Sequence, residues 1–415
     1  MAKILNISAE NFLSLQDVKL TLRPLNVLVG PNGSGKTNIL KLFQFIGDVA
    51  RLDLVPAIEA MGDFENLLFR GKDRKGQTVK LKFSGVISQH ASHRALDEYT
   101  LSFWQRKYQS RSPGEIGRRL VQRNEEIILK RTAGRGRRIT LNGGSLRVLL
   151  DEPTDEKFAS KKSVSRKPIP GELRLQNAAT GLATLRRLGE EYEASGVEAL
   201  AQIFEQLRLF EIDVDRVRRP SRISTSVTLR ADAGNLASYL LYLKDNYSSI
   251  FEAICEDVRY VLPGFTGFEF HRIGGSDEAI RLDIVENSLS GTTPLARASF
   301  GTIRSIALFA MLHDPNPPSL TCLEEIDHGL HPYALDRLVD RLRDASKKTQ
   351  IILATHSPAF VNRLNPDELI VVERNEDTGG TRITQPNENL VETLKAETGY
   401  NLGELWFSGA IGGVI

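Results

Sequence analysis

Hydrophobic and polar positions change their spacing twice within the first fifty residues. Residues 3–8 and 17–23 alternate apolar and polar side chains, which predicts two short strands. Residues 25–29, with the sequence LNVLV, form a continuous apolar run that predicts a buried strand. From Gly35 to Ala50 the spacing becomes helical, with apolar side chains mostly on one face at Ile39, Leu40, Leu42, Phe43 and Ile46. The chain therefore begins as strands, a glycine-rich turn and an amphipathic helix.

The next hundred residues have the pattern of short strands. Strands are predicted at 78–87, 99–104, 126–130 and 138–141. The turn-rich segment Thr132–Arg137 joins the last two strands as a hairpin. Residues 151–171 are polar, charged and contain proline, which indicates a loop or a boundary.

Helical spacing comes next, and then strands and helices alternate. Residues 177–210 and 235–262 are predicted to be helical, and the first has an apolar core-facing stripe at Leu200, Ile203, Phe204, Leu207 and Phe210. Strands are predicted at 267–272, 279–286, 319–324, 350–354 and 368–373, with helices at 301–313 and 332–347. Alternation of this kind is typical of a parallel sheet with helices on its faces. We expect an α/β fold with a mixed β-sheet, flanking helices, an inserted β-hairpin and a helical lobe.

The turn after the first buried strand is a phosphate-binding loop. Residues 30–37 read GPNGSGKT and fit GxxxxGK[ST] at every fixed position, between a strand and a helix. Glycines allow backbone N–H groups to approach phosphate oxygens, and the next helix presents its positive end to the anion. Lys36 is expected to contact the β- and γ-phosphates and Thr37 to ligate Mg²⁺. The nucleotide-binding residues of this segment are then Gly30, Asn32, Gly33, Ser34, Gly35, Lys36, Thr37 and Asn38.

Two carboxylates end a later apolar strand. Residues 319–325 read SLTCLEE, and neighbours in a strand point to opposite sides. We therefore assign Glu324 to the magnesium shell and Glu325 to the base that orients or activates the attacking water. The next apolar strand ends at His356, which is placed to sense the γ-phosphate, although a histidine after a strand is more often structural.

A serine and a glycine begin the helix that precedes the acidic strand. Residues 298–304 read ASFGTIR, so Ser299 and Gly301 stand at an anion-binding helix N-terminus. In isolation this signal is weak, because serine is a common helix N-cap. Its position some twenty residues before the acidic strand strengthens it.

Composition adds limits rather than a function. The net charge of +2 over 415 residues is near neutral, but residues 101–170 contain 17 Lys/Arg and 7 Asp/Glu, a local excess that favours a polyanionic partner. Cys255 and Cys322 are far apart, which argues against zinc or a disulfide framework. Without a signal-peptide pattern or an apolar run of about 18 residues, we expect a cytoplasmic protein with no membrane partner.

Together these motifs resemble the ABC-type ATPase heads of the RecF and SMC class. More closely, the chain resembles stand-alone ATPases related to the head of the overcoming-lysogenization-defect nucleases. The resemblance rests on the opening ISAENFLSLQDVKLTLRPLNVLVGPNGSGKTNIL, on ASFGTIRSIALFAMLHDPNPPSLTCLEEIDHGLHP and on IILATHSPAFVNRL. It covers residues 1–70 and 265–375 with specific motifs. It implies an ABC-type P-loop head with an N-terminal lobe over 1–150, a helical insertion over 151–265 and a C-terminal lobe over 266–415.

The resemblance also implies roles for single residues. Gly30–Thr37 is the Walker A loop, Glu324 takes the Walker B position, and Glu325 is the catalytic glutamate. Ser299 and Gly301 belong to the signature that caps the nucleotide of the opposite subunit, so a homodimer or higher homo-oligomer is implied. Asp327 lies in the D-loop with His331 beyond it, and His356 is the switch histidine. ATP and Mg²⁺ are the implied ligands.

The chain departs from the ABC pattern at three points. The signature reads ASFGT where transporters prefer LSGGQ, and the Walker B acid is glutamate, which suggests slow hydrolysis. The Q-loop glutamine is not evident, and Gln89 is the candidate.

The C-terminal residues do not match the nucleases. The 59 residues after His356 contain Glu368, Glu373 and Asp377 but no Asp-x-Asp, so we expect no nuclease of the Toprim type. The tail GYNLGELWFSGAIGG resembles the ends of stand-alone ATPases and is interpreted as a docking or packing segment, with apolar side chains at Leu402, Leu405, Trp406 and Phe407.

Three functions are compatible with this pattern. The first is an ATP-driven switch that closes as a dimer and controls a separate effector encoded nearby, a nuclease or toxin in an antiviral defence system. The second is a RecF-like ATPase of DNA repair or recombination. In that case the basic segment grips DNA phosphates through Arg118, Arg119, Arg135, Arg137 and Arg138, although such a segment is as often a solvated hairpin rim. The third, a transporter subunit, is disfavoured by the altered signature and the large insertion.

Overall fold

A computed structural model describes the chain over residues 3–72, 76–108, 119–133, 135–151, 175–189, 192–223, 228–274 and 279–412. The chain divides into two compact units, each discontinuous in sequence. The first unit contains Met1–Arg23, Pro31–Leu207 and Val372–Thr384, and the second contains Pro24–Gly30, Arg208–Val371 and Gln385–Ile415. The predicted division into three lobes stays a prediction.

An antiparallel sheet of seven strands forms the frame of the first unit. Its strands are β1 (Lys3–Phe12), β2 (Leu15–Thr21), β4 (Val79–Val86), β5 (Asp97–Lys107), β6 (Arg119–Leu129), β7 (Gly136–Asn142) and β8 (Ser145–Asp151). They lie in the order β2-β1-β4-β5-β6-β7-β8. Strand alternation buries one face, since Leu81 of β4 faces Leu101 of β5 and both side chains are fully buried.

Helices pack on the buried face of this sheet. They are α1 (Lys36–Leu52), α2 (Leu54–Ala60), α3 (Phe64–Leu67), α4 (Gly181–Thr184) and α5 (Ala194–Glu205). The Phe45 ring of α1 stacks on Phe103 at 5.6 Å between centroids, and the Phe204 ring of α5 meets Phe83 edge-on at 5.0 Å. The apolar stripe predicted from Ile39 to Ile46 is the face of α1 that is buried. Strand β17 (Thr381–Thr384) also belongs to this unit.

The second unit is built on a parallel sheet. Its strands are β3 (Leu25–Val29), β9 (Arg208–Phe210), β14 (Leu320–Glu324), β15 (Gln350–Thr355) and the part of β16 (Leu369–Arg374) up to Val371. They lie in the order β16-β3-β15-β14-β9. In register, Val27, Leu353 and Leu323 stand side by side on the three central strands, all of them buried. Near-continuous apolar strands of this kind are expected where both faces of a sheet are covered.

The remaining elements of the second unit are helices and a small antiparallel sheet. The helices are α6 (Val214–Val217), α7 (Leu236–Asn246), α8 (Ser248–Val261), α9 (Phe300–Leu312), α10 (Pro332–Ser346), α11 (Pro358–Val361), α12 (Glu388–Thr398) and α13 (Leu402–Phe407). The small sheet contains β10 (Ser221–Arg222), β11 (Phe265–Ile273), β12 (Ala279–Glu286) and β13 (Thr292–Pro294). Over the described ranges, no helix has both the length and the apolar character needed to cross a bilayer.

Several predicted elements have different bounds in the structure. The helix predicted over 177–210 is broken into α4, a 3₁₀ turn at Leu185–Arg187, and α5, and Phe210 lies in β9 instead of on the helical stripe. The helix predicted over 235–262 is interrupted at Tyr247, whose φ of −140° and ψ of 57° are not helical. Strands β8, β13 and β17 and helix α12 were not predicted. Of the predicted loop 151–171, Asp151 ends β8, and the rest lies outside the described residues.

Part of the tail packs against the second unit. Leu402, Leu405 and Trp406 are buried, whereas Phe407 is 75% exposed. The N–H of Gly403 donates to Asn362 Oδ1 at 2.7 Å, which ties α13 to the residue after α11.

Candidate nucleotide-binding site

The phosphate loop has the backbone conformation that its glycines permit. Gly33 and Gly35 have φ values of 77° and 111°, in the left-handed region that side chains with a Cβ rarely adopt. Helix α1 begins at Lys36, directly after Gly35, so the N–H groups of its first turn are at the loop. This is the local geometry that binds a phosphate anion.

Two side chains of the loop fit a phosphate group. Ser34 is 1% exposed, and its Oγ has no hydrogen-bond partner among the described residues. Lys36 is 5% exposed and folds back along the loop, with Nζ donating to the carbonyl oxygen of Pro31 at 2.9 Å. A buried hydroxyl without a partner is costly, and a phosphate oxygen would satisfy it. The loop is therefore suited to hold the phosphates of a nucleotide.

Residues far from the loop in sequence contact it, and the sequence pattern did not identify them. Thr381 Oγ1 donates to the carbonyl oxygen of Ser34 at 2.9 Å and lies 2.7 Å from Ser14 Oγ. Asn38 Nδ2, from the first turn of α1, donates to Ser14 Oγ at 2.7 Å. Ser14 and Thr381 carry no motif that could have revealed this contact.

The acidic pair and the histidine lie at one edge of the parallel sheet. Thr355 is in register with Val29, and Glu324 with Ala354, so the carboxyl ends of β3, β15 and β14 are neighbours. At the same edge the chain leaves β3 and enters the phosphate loop at Gly30. This is the edge of an open α/β sheet where ligands bind.

A turn, and not the alternation of side chains along a strand, separates Glu324 from Glu325. Strand β14 ends at the half-buried Glu324, and the exposed Glu325 has a φ of 48°, in the left-handed region, so it has left the strand. The Glu325 N–H still donates to Ala354 O at 3.0 Å. A tight turn, rather than strand alternation, therefore sets the direction of Glu325.

A buried arginine holds this turn. Arg304 of α9 is 8% exposed, and its Nη2 donates to the carbonyl oxygen of Glu325, which also accepts from the His328 N–H at 3.1 Å. Burial lowers the pKa of the Arg304 guanidinium, while the charges of Glu325 and Asp327 act in the opposite direction. Arginine remains charged at any physiological pH, so the Glu325 carbonyl is bound by a buried cation.

The segment around His356 is fixed by hydrogen bonds. Thr355 Oγ1 donates to Asp327 Oδ1 at 2.7 Å and accepts from the Ser357 N–H at 3.0 Å. His356 stands between these two anchored residues and is exposed. His331 has a structural role as the N-cap of α10, where its Nδ1 accepts from the Tyr333 N–H at 3.3 Å.

Ser299 and Gly301 lie where the resemblance placed the signature, at the start of α9. Exposed Ser299 is the N-cap, with Oγ accepting from the Thr302 N–H at 3.1 Å. A Cβ at Gly301 would lie 2.4 Å from the carbonyl oxygen of Gly329, so glycine is needed for close approach of the two segments. The Phe300 ring meets His328 edge-on at 5.6 Å. The signature segment and the loop after Glu325 are therefore packed against each other within one chain.

The Q-loop role of Gln89 stays a prediction. Gln89 is exposed, and its Nε2 lies 3.1 Å from His90 Nε2. It lines a cavity of about 490 Å³ in the first unit together with Lys130, Arg131 and Arg137, and none of the described lining residues belongs to the phosphate loop.

Some basic residues of the predicted DNA-binding segment are exposed, and others form ion pairs. Arg119 and Arg135 are exposed, whereas Arg138 pairs with Glu126 at 2.7 Å. Arg137 Nε lies 3.4 Å from Glu193. Arg118 lies outside the described residues.

The described parts of the chain contain no cluster of metal-ligating side chains. Within them, no group of three or more His, Cys, Asp or Glu side chains could hold a metal ion. Glu368 is instead bound to Arg343, at 2.8 and 2.9 Å. Cys255 and Cys322 are buried free thiols, and burial raises the pKa of both.

Fold and motifs together define a P-loop ATPase of the ABC type, and comparison with known proteins agrees. Residues 25–362 match the family described as "AAA domain, putative AbiEii toxin, Type IV TA system". The match covers most of the chain, and the chain belongs to this family. It is an ABC-type ATPase of the RecF and SMC class.

Two curated proteins are similar in sequence. The "Retron Vc95 probable ATPase" of Vibrio cholerae serotype O1 biovar El Tor is 22% identical over 419 residues, which cover 93% of this chain and 76% of that protein. An "OLD nuclease" of Thermus scotoductus is 48% identical over 44 residues, which cover 10% of this chain and only 8% of the nuclease.

Solved structures with the same fold are SMC heads. An Smc head with an extended coiled coil, bound to the C-terminal domain of ScpA and derived from Pyrococcus furiosus, has a TM-score of 0.54 at 13% identity, covering 96% of this chain and 100% of that one. An SmcHead bound to the C-winged helix domain of ScpA has a TM-score of 0.51 at 14% identity, covering 92% and 98%. The predicted fold class is confirmed.

Proposed function

We propose that this chain binds ATP with Mg²⁺ and hydrolyses it, and that ATP closes two copies into a dimer that switches a separate effector. The observation that carries the nucleotide-binding part is the phosphate loop. Its left-handed Gly33 and Gly35, the folded Lys36 side chain and the buried Ser34 hydroxyl, which has no partner within the described ranges, together suit a polyphosphate.

Each predicted site residue takes one part of the chemistry. Lys36 and the loop N–H groups bind the β- and γ-phosphates, with Thr37 and Glu324 as the residues that would hold Mg²⁺. A bound Mg²⁺ would neutralise charge on the phosphates. Exposed Glu325 orients the attacking water and accepts its proton, and exposed His356 donates to the γ-phosphate.

The dimer is proposed from the position of Ser299. This residue is exposed at the N-terminus of the 13-residue helix α9, where N–H groups and the helix dipole favour an anion. In this arrangement Ser299 and Gly301 of one copy complete the nucleotide site of the other.

The effector is proposed from the relatives. The chain shares most of its length with a retron ATPase and a short segment with an OLD nuclease, and its family description refers to a toxin system. A nuclease or toxin controlled in an antiviral defence system is the effector class that these likenesses favour.

A single set of variants tests the enzymatic part. Lys36→Ala is expected to abolish binding of a fluorescent ATP analogue, because the β- and γ-phosphates lose their cation. Glu325→Gln is expected to keep ATP binding and to reduce phosphate release by at least about 100-fold, because the base is lost. Hydrolysis by Glu325→Gln at the wild-type rate would contradict the assignment of the base.

Dimer closure is tested by light scattering in the Glu325→Gln background. Addition of ATP should double the mass, and Ser299→Arg should prevent the doubling because a large cation then occupies the γ-phosphate position. Ser290→Arg, another exposed serine of the second unit, is the matched control and should leave the doubling intact. An unchanged mass with ATP in the Glu325→Gln protein would refute the dimer.

A second candidate function is DNA binding, favoured by the cavity next to Gln89. Lys130, Arg131 and Arg137 line it, with Glu193 as the acidic residue of the lining, and the N-terminal residues Ser195 and Gly196 of α5 are also at its wall. Each of these cations also faces a carboxylate, Lys130 that of Glu98 and both arginines that of Glu193 at 3.4 Å, and a phosphate backbone would compete for them. In filter binding, the affinity for DNA should fall steeply as the salt concentration rises. Arg137→Gln should reduce the slope of log affinity against log salt concentration by about one. DNA affinity that does not depend on salt would exclude this function.

A further inference from the structure

We propose that Ser14 and Thr381 are positioning residues that orient one peptide group of the phosphate loop toward the nucleotide. The inference rests on the proposed nucleotide binding and concerns two residues to which the motifs assign no role. Thr381 lies 347 positions from Ser34 and 367 from Ser14, yet the three are joined by hydrogen bonds.

The hydrogen bonds that join Asn38, Ser14, Thr381 and Ser34 each have only one possible direction. Thr381 Oγ1 must donate to the Ser34 carbonyl oxygen, because a carbonyl oxygen only accepts. The single Thr381 hydroxyl proton is then used, so Ser14 must be the donor in the 2.7 Å contact between the two hydroxyl groups. Ser14 Oγ is left to accept from Asn38 Nδ2.

The opposite orientation of the Asn38 amide can be excluded. If Asn38 presented its oxygen, Ser14 would donate to Asn38, and no proton would remain between the Ser14 and Thr381 oxygens. Two oxygens at 2.7 Å without a proton repel each other. The contacts therefore run in one direction, from Asn38 through Ser14 and Thr381 to the Ser34 carbonyl, and each bond polarises the next.

The last bond determines which way the peptide between Ser34 and Gly35 faces. In a planar trans peptide the C=O and the N–H point in opposite directions. Since the Ser34 carbonyl is bound to Thr381, the Gly35 N–H points away from Thr381 and is left to face a bound phosphate. A peptide with the reverse orientation would present a carbonyl oxygen to the phosphate and repel it.

The same contacts explain why residue 35 is glycine. A Cβ at this position would lie 2.0 Å from Thr381 Oγ1 and 2.7 Å from Ser14 Oγ. The two hydroxyl groups occupy the space that a side chain would need. Thr381 is also anchored by its backbone, whose N–H donates to the Ser14 carbonyl at 2.8 Å, so the donor is held in place before nucleotide binds.

The test replaces the Thr381 hydroxyl by a methyl group of similar size. Thr381→Val removes the donor to Ser34, and we expect the Kd for a fluorescent ATP analogue to rise about 5- to 20-fold, the effect of one lost oriented hydrogen bond. Thr381→Ser keeps the hydroxyl and should restore binding to within about twofold. Thr384→Val, on the same strand and half-buried, is the matched control and should bind like wild type.

A role in folding alone is distinguished by two further measurements. The unfolding temperature without nucleotide should fall by no more than a few degrees in Thr381→Val, whereas the increase caused by ATP should be much smaller than in wild type. At saturating ATP the kcat should stay near the wild-type value while KM rises, because the residue does not contact the reacting atoms.

The coupling of the two hydroxyl groups gives an independent check. Ser14→Ala removes the bond that polarises Thr381, and its effect on the Kd should largely disappear when Thr381 is already valine. Wild-type affinity in Thr381→Val, or equal defects in Thr381→Val and Thr381→Ser, would overturn the proposal. If neither the wild-type protein nor Lys36→Ala binds ATP, the proposed nucleotide binding fails, and the roles of Ser14 and Thr381 fail with it.

Discussion

Replacing Arg304 by methionine tests whether this buried arginine controls the catalytic turn. Its Nη2 is bound to the Glu325 carbonyl, and the neighbouring His328 N–H shares the same acceptor. Glu325 has a φ of 48°, a conformation that costs a residue with a side chain about 1–2 kcal/mol. The bond from Arg304 helps to hold Glu325 in that conformation.

The expected loss of kcat follows from two energies, the cost of the left-handed conformation of Glu325 and the contribution of the hydrogen bond from Arg304. A hydrogen bond from a charged group contributes about 1.5–3 kcal/mol, which matches or exceeds the cost of the left-handed turn. Without the bond the turn can relax, and Glu325 loses its productive position in most molecules. A loss of about 1.4–2.8 kcal/mol corresponds to a 10- to 100-fold lower kcat.

The stability of the protein should change much less than its activity. Methionine fills a similar volume, and removal of a buried cation also removes its desolvation cost, so the free energy of unfolding should change by less than about 1.5 kcal/mol. Phosphate release under saturating MgATP gives kcat, fluorescence titration gives the Kd, and urea unfolding gives stability. Arg297→Met, an exposed arginine just before the same helix, is the control. If Arg304→Met hydrolyses ATP within twofold of the wild-type rate, the turn does not depend on this bond.

Other contacts lead to further predictions. Gly301→Ala should slow ATP hydrolysis strongly and lower the free energy of unfolding by about 1–3 kcal/mol, because its Cβ would lie 2.4 Å from the Gly329 carbonyl oxygen. Phosphate release measures the first effect and thermal unfolding the second. Gly291→Ala is the control, because a Cβ at Gly291 meets no described atom within 4 Å. Asp257→Asn should cost about 3–5 kcal/mol in urea unfolding at pH 7, because Asp257 is fully buried among His313, Arg337 and Arg341. Burial raises the pKa of Asp257, but hydrogen bonds from His313 and Arg341 outweigh it, and the net pKa is lowered. The Asp257 contribution is therefore complete above the ordinary carboxyl pKa of about 4 and is lost as the pH falls through the lower folded value, so the difference between wild type and Asp257→Asn should shrink in acid. A difference that stayed constant down to a pH of about 2 would contradict this linkage.

The sequence alone determined the parts of the site that depend on local spacing. The GxxxxGK[ST] loop needs glycines at fixed positions because its backbone must turn, and Gly33 and Gly35 have the required positive φ values. The alternation of strands and helices predicted the parallel sheet, and the register places the ends of β3, β14 and β15 side by side. The loop and the alternation of strands and helices can be predicted because they depend on residues close together in the chain, whereas the register of the strands is seen only in the structure.

Only the tertiary structure decided the contacts between distant residues. Residues 208–210 continue a helical pattern, yet they form β9. Parallel pairing with β14 fixes them as a strand, and this tertiary contact outweighs their local helical preference. The bond from Thr381 to the phosphate loop, the hold of Arg304 on the Glu325 carbonyl and the close approach of Gly301 to Gly329 leave no periodic pattern. Each depends on strand register and helix packing, which bring together groups that are far apart along the chain, and so no local spacing could predict them.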